Sequence, residues 1–227
     1  MGNIFIPTQL PQDWQRLLAD PLKHWRKGYS ARAMAYCWQE AEGFPISFIK
    51  AFSNSGLETF QELSLLFAFP EWKVHLPGGK AASQNDIFLI GKCQEGLMAM
   101  MVEGKVSEPF DKTVSQWLQG ASPGKKERLD YLVNLLRIDK AEIGHIRYQL
   151  LHRTASALIE AARLGATNAA MLIHSFSETY EWYDDFANFV ALFNLSAAKD
   201  SVVGPAKVGE IDLYFGWVRG DKKYLSK

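Results

Sequence analysis

Cysteine is nearly absent from this chain, with Cys37 and Cys93 the only two in 227 residues. Two thiols so far apart in sequence exclude a disulfide framework and a cysteine-rich zinc site, and buried thiols in a reducing compartment are expected. Net charge is lacking as well, because 25 Lys and Arg balance 25 Asp and Glu. No global basic field marks a non-specific DNA binder, which leaves only a local basic groove for that role. Long apolar runs are missing too: no segment offers about twenty continuous apolar residues. Met1 to Pro7 carries no basic stretch leading into such a run. These absences point to a cytoplasmic protein without membrane contact.

Motifs of several familiar chemistries are also missing. Pro77-Gly78-Gly79-Lys80 lacks P-loop spacing and reads as a simple turn. Ser175 follows His174, but no Gly-x-Ser-x-Gly elbow surrounds it. Cys37 falls inside the apolar stripe of a helix, where a thiol is inert core. His145, His152 and His174 invite a zinc reading. The first two are two helical turns apart, however, whereas helix zinc pairs sit about four residues apart.

What is present is a globular composition, 48% hydrophobic and 22% charged, long enough for one substantial α/β domain over 1–227. A short helix is expected over 12–19. A clearer one follows Ser30 as N-cap, with Ala33, Met34, Cys37, Trp38 and Ala41 in one stripe. Residues 45–53 and 57–67 also read as helices, the second on Leu57, Phe60, Leu63, Leu66 and Phe67. A short strand from Trp72 to Leu76 precedes the hairpin of 86–91 and 97–106. Helices over 111–118, 125–136 and roughly 144–164, a buried strand at 169–174, a helix over 179–193 and a strand at 209–218 complete the chain. The alternation gives a central mixed sheet flanked by helices, with extra helices at the N-terminus and after the hairpin.

The hairpin carries the chemistry. Asp86 opens its first strand, and Glu103 and Lys105 close the second. Residues two apart on a strand share a face, so Glu103 and Lys105 project together, and antiparallel pairing brings Asp86 to them. Two carboxylates at one sheet edge repel each other and resist desolvation unless a divalent cation lies between them. A Mg²⁺-type ion takes one or two carboxylates plus water and phosphate oxygens. A neighbouring lysine then orients water or neutralises a phosphoryl group. The competing reading is a surface hairpin with ordinary charged ends.

Over roughly residues 30–175 the residues resemble the PD-(D/E)XK nuclease superfamily, the restriction-endonuclease-like fold. Asn85-Asp86 matches its first motif with Asn in place of Pro, and Glu103-Gly104-Lys105 matches its second in full. Gln149, in Tyr148-Gln149-Leu150-Leu151-His152-Arg153, matches the Gln that many members carry on the following helix. A similar pattern belongs to an uncharacterised bacterial family. The resemblance implies Mg²⁺ or Mn²⁺ held by Asp86 and Glu103, with a first-helix acid as a further ligand, Glu40 before Glu42. It implies Lys105 and Gln149 as catalytic partners of the attacking water, and Arg153 against a phosphate of a nucleic-acid substrate. Such a site hydrolyses phosphodiester bonds, and a homodimer would be the simplest way to cut both strands of a duplex.

Against the enzyme stands a scaffold on the same fold that has lost turnover and serves as an interaction module. The aromatic segment from Phe176 to Phe193 supplies a candidate surface for it, with helix packing or a dimer contact as its role. The C-terminal helix and strand, 179–218, are expected to pack on the nuclease-like core.

Overall fold

Two strands interrupted by proline form the rims of the central sheet, because proline cannot donate to a second neighbour. The computed structural model describes residues 8–41 and 43–227. Its sheet has six strands: β1 (Ser64–Val74), β2 (Ser83–Cys93), β3 (Gly96–Lys105), β4 (Asn168–Ser175), β5 (Ser201–Val208) and β6 (Ile211–Arg219). Their order is β1-β2-β3-β4-β6-β5. Pairing is antiparallel along β1-β2-β3, parallel for β3-β4 and β4-β6, and antiparallel for β6-β5. Pro70 and Pro205 fall on the two edge strands, β1 and β5.

Helices cover both faces. On one side lie α1 (Pro21–His24), α2 (Ser30–Glu40) and α3 (Ile46–Ser55). On the other lie α4 (Val114–Trp117), α5 (Pro123–Leu136), α6 (Tyr148–Leu164) and α7 (Tyr183–Ala191). The strands that helices cover on both faces are continuously apolar, as a doubly covered sheet requires. Ala169, Met171 and Ile173 of β4 face α6, whereas Ala170 and Leu172 face α2 and α3. A mixed α/β sheet flanked by helices is therefore the architecture, with short helices before it and α4 and α5 after β3.

Several elements differ from the sequence reading. The expected helix over 57–67 is a 3-10 turn, Glu58–Phe60, followed by edge strand β1, where Leu66 and Phe67 are exposed. Leu65-Leu66-Phe67-Ala68-Phe69 has no polar residue to define a period, so pairing with β2 decides its form. Ser30 is the first residue of α2 rather than its cap, and Tyr29 holds the cap position without a side-chain bond. The expected helix over 111–118 shrinks to one turn capped by Thr113. Residues 12–19 form a 3-10 helix, Pro11–Leu17. Strand β5 was not expected, because Gly204-Pro205 reads as a loop signal unless the strand is an edge.

In the aromatic segment, Phe186 and Phe189 of α7 are fully buried and pack on Trp217 and Phe215. Core packing is thus what that stripe does. His174 points to the α2 side and accepts a 3.2 Å bond from Trp38 Nε1. Burial pushes its pKa down to about 3. His145 is exposed and His152 lies on the α6 side, so the three histidines do not assemble. Among the described residues, no helix is long and apolar enough to cross a membrane.

Candidate functional site

At the end of β3 the sheet opens, and its side chains there are polar although buried. Register pairs Ile87 with Val102, and beyond that point the β2–β3 ladder gives way to a side chain. Asp86 Oδ2 accepts the backbone N–H of Gly104 at 2.7 Å. This fixes the Asp86 carboxylate beside Glu103, on the face that carries Phe88 and Met101. Gly104 is required for close packing, not for its torsion. A Cβ there would collide with Met34 Sδ from α2 and come within 3.2 Å of Asp86 Oδ2. The glycine of Glu103-Gly104-Lys105 therefore lets α2 press against the back of the site.

Glu103 is the hub, 3% exposed. Its Oε1 accepts from Lys105 Nζ at 2.8 Å and from Gln149 Nε2 at 2.7 Å. Its Oε2 accepts from Arg153 Nε at 2.6 Å. Lys105 Nζ also donates to Gln149 Oε1 at 3.1 Å and lies 4.9 Å from the Phe110 ring centroid. Gln149 and Arg153 are one turn apart at the start of α6, so one helix face delivers an amide and a guanidinium to one carboxylate. Burial alone would raise the Glu103 pKa. The charges of Arg153 and Lys105, with their hydrogen bonds, outweigh it and hold this carboxyl below its ordinary value.

The other acids behave oppositely. Burial first, and then the charge on Glu103, pushes Asp86 up to about 7. Glu71 is pushed up to about 8 by burial and by the charge on Asp86. Glu71 is the residue the sequence did not reveal. It lies on β1 between Pro70 and Trp72, which pair with Ile87 and Asn85, so it falls at the level of Asp86. Its backbone is left-handed, φ 54°, an uncommon state for a residue with a side chain. That kink lets Phe69 and Trp72, three residues apart, both approach the Phe88 ring, at 5.7 and 5.5 Å between centroids. Gln84 Nε2 holds Glu71 Oε2 at 2.6 Å. A Pro-Glu pair opposite an Asp on an edge strand is the only cue, and it depends on register.

A family model described as Domain of unknown function (DUF6946) matches residues 7–222. The chain belongs to this family. No curated protein and no solved structure matches it. In this DUF6946 chain Asp86, Glu103, Lys105, Gln149 and Arg153 converge on one site. Glu40 does not join them. It sits at the far end of α2, pairs with Lys227 at 3.6 Å and lines a different cleft, on the opposite face of the sheet. The alternative acid, Glu42, lies outside the described residues. Arg153 is buried against Glu103 and Ser83, with Nη1 3.3 Å from Ser83 Oγ.

The acids here offer carboxylate oxygens, the donor type that a hard cation could use. Glu71 and Asp86 both gain protons more readily than free carboxyls, so ionising them together calls for a positive charge between them. Among the described residues no three His, Cys, Asp or Glu side chains form a ready-made cage. Mg²⁺ does not need one, since it is commonly held by one or two carboxylates, waters and substrate phosphate. Asp86 and Glu71 fit that role. Glu103 fits it only by sharing an oxygen that Lys105, Gln149 or Arg153 already engages.

Proposed function

We propose that this chain is a metal-dependent nuclease of the restriction-endonuclease-like class, hydrolysing phosphodiester bonds of nucleic acid. The observation that carries the reading is the Glu103-centred cluster. A strand bearing Asp86, a strand ending in Glu103-Gly104-Lys105, a helix delivering Gln149 and a following parallel strand, β4, occur in the order that the PD-(D/E)XK core requires. Fold likeness alone assigns no activity, so the argument rests on the side chains.

Asp86 and Glu71 are the residues that would hold Mg²⁺ or Mn²⁺, with Glu103 joining them by sharing an oxygen that its donors engage. Such an ion supplies charge neutralisation for the phosphoryl group and a water of lowered pKa. Lys105, on the same face as Glu103, is set to stabilise charge growing on a phosphoryl oxygen as water attacks phosphorus and the P–O bond to the sugar breaks. Gln149 bonds both Lys105 and Glu103 and so fixes their relative position. Arg153 and Lys105 favour the ionised form of Glu103, whereas burial favours the protonated forms of Asp86 and Glu71, which a cation would reverse. The test is cleavage of DNA and RNA substrates in Mg²⁺ or Mn²⁺ by the wild type and by Lys105→Met. Metal-dependent cleavage lost in a folded Lys105→Met supports the reading; no cleavage of either polymer by the wild type refutes it.

One observation favours a second reading, a scaffold without turnover. Both oxygens of Glu103 are engaged by donors of the chain itself, with Arg153 where a cation would be welcome. On that reading Lys105→Met changes stability only.

A further inference from the structure

The turn Pro77-Gly78-Gly79-Lys80 forms one wall of a 360 Å³ cleft beside the carboxylate cluster. Its other walls come from Ser83, Trp117, Lys125, Tyr148 and His152. The loop is locked onto the start of α5 by a mutual close approach: a Cβ on Gly78 would strike the Gly124 carbonyl, and one on Gly124 would strike Gly78. Arg128 braces it, donating to the carbonyls of Leu76, Pro77 and Gly79 at 2.8 to 3.2 Å. The cleft is thus a built feature, with its cationic brace already spent on backbone.

Three cations and no carboxylate line this cleft, in a chain whose charges cancel overall. His152 registers the consequence. Burial and then the charges of Arg153, Arg128 and Lys105 hold its pKa well below the ordinary value. The neutral ring bonds Ser83 Oγ at 2.8 Å through Nδ1, and Ser83 Oγ also receives Arg153, whose guanidinium rests on Glu103. Cleft and carboxylate site therefore share a wall of two side chains. Lys80 projects from the rim, exposed. Lys125 Nζ is 4.9 Å from the Trp117 ring centroid and donates to the Trp117 carbonyl. Tyr148 stacks on Trp117 at 4.0 Å and 12°, so Lys125 covers the other face. No face of Trp117 is left to stack a base.

We propose that this cleft seats a backbone phosphate of a nucleic-acid strand, with Lys80 and Lys125 determining which phosphodiester reaches Asp86 and Glu103. This rests on the nuclease reading and adds to it that recognition here is of phosphate, independent of base identity. A phosphate held there, across the Ser83–His152 wall from Arg153 and Glu103, sets the register of the strand rather than its sequence.

The test is anisotropy of a fluorescein-labelled random-sequence DNA oligonucleotide with the full chain in Ca²⁺ at several salt concentrations. Wild type is compared with Lys80→Glu/Lys125→Glu and with Lys50→Glu, a control in the cleft beside α3. The double variant should bind roughly tenfold more weakly, with a salt slope smaller by about 1 to 2. The control should match wild type, and all three proteins should unfold cooperatively, well above the assay temperature. A double variant that binds within twofold of wild type overturns the proposal, as does a wild type that binds no oligonucleotide at low salt. Competition by a mononucleotide at the oligonucleotide's own affinity overturns it too, since the cleft would then take a free nucleotide. Lysine-dependent binding without cleavage removes the nuclease and keeps the cleft; cleavage with lysine-independent binding does the reverse.

Discussion

Replacing Asp86 with Asn separates the electrostatic cost of this site from its packing. The amide is isosteric with a protonated carboxyl and can still accept the Gly104 N–H bond. Asp86 is raised from 3.8 to about 7, so the folded chain holds a proton between about pH 4 and pH 7 that the unfolded chain releases. Stability from this group therefore falls as pH rises through that window and is fully lost above it. Three pKa units correspond to about 4 kcal/mol as an upper bound. The side chain is partly open to solvent, and screening reduces this to about 1 to 3 kcal/mol. Asp86→Asn also relieves Glu71, whose carboxyl feels the Asp86 charge. The assay is thermal unfolding in chelator at pH 5 and pH 8, for both proteins. At pH 5, about one pH unit into that window, the variant should already be favoured by about a third of the full difference. At pH 8 the variant should melt about 2 to 12 °C higher, from 2 to 4 °C per kcal/mol for a chain of this size. A variant equally destabilised at both pH values would refute the reasoning, because Asp86 would then contribute packing or hydrogen bonding and no electrostatic strain.

Arg153→Met should destabilise by about 3 to 5 kcal/mol, since it leaves Glu103 buried with part of its counter-charge removed; denaturant unfolding checks this. A loss under 1 kcal/mol would show that Lys105 alone compensates Glu103. Gly104→Ala should cost about 1 to 3 kcal/mol by driving a methyl into Met34, and the same substitution should cost less in a Met34→Ala background. An equal cost of Gly104→Ala in both backgrounds would place the strain on the Asp86 side.

The residues whose chemistry is local were legible in the sequence. Asp86, Glu103 and Lys105 follow from strand period and a hairpin turn, Gln149 from the likeness to the nuclease superfamily and Arg153 from its place one helical turn beyond Gln149, and the structure brings all five together. Glu71 was hidden because its position depends on how an edge strand pairs and on one left-handed residue, neither of which leaves a periodic trace. Glu40 misled for a related reason. Its helix does pack against the site, through Met34, but the acid lies nearly two turns further on and belongs to another cleft. The run Leu65 to Phe69 is apolar on every side, so period could not separate strand from helix, and partnership with β2 settled it. His152 and Ser83 join the site only through a contact across the fold, between residues 69 positions apart.

The central claim is that Asp86 and its neighbours hold a divalent cation, and calorimetric titration of Mn²⁺ into the full chain tests it most directly. The experiment is run at pH 7 in two buffers of different ionisation enthalpy, with wild type and Asp86→Ala. The expected result is binding by the wild type accompanied by proton release, because Asp86 and Glu71 must ionise to take the metal, and no binding by the variant. A wild type silent at millimolar metal, or an Asp86→Ala variant that binds as tightly and releases as many protons, would contradict it.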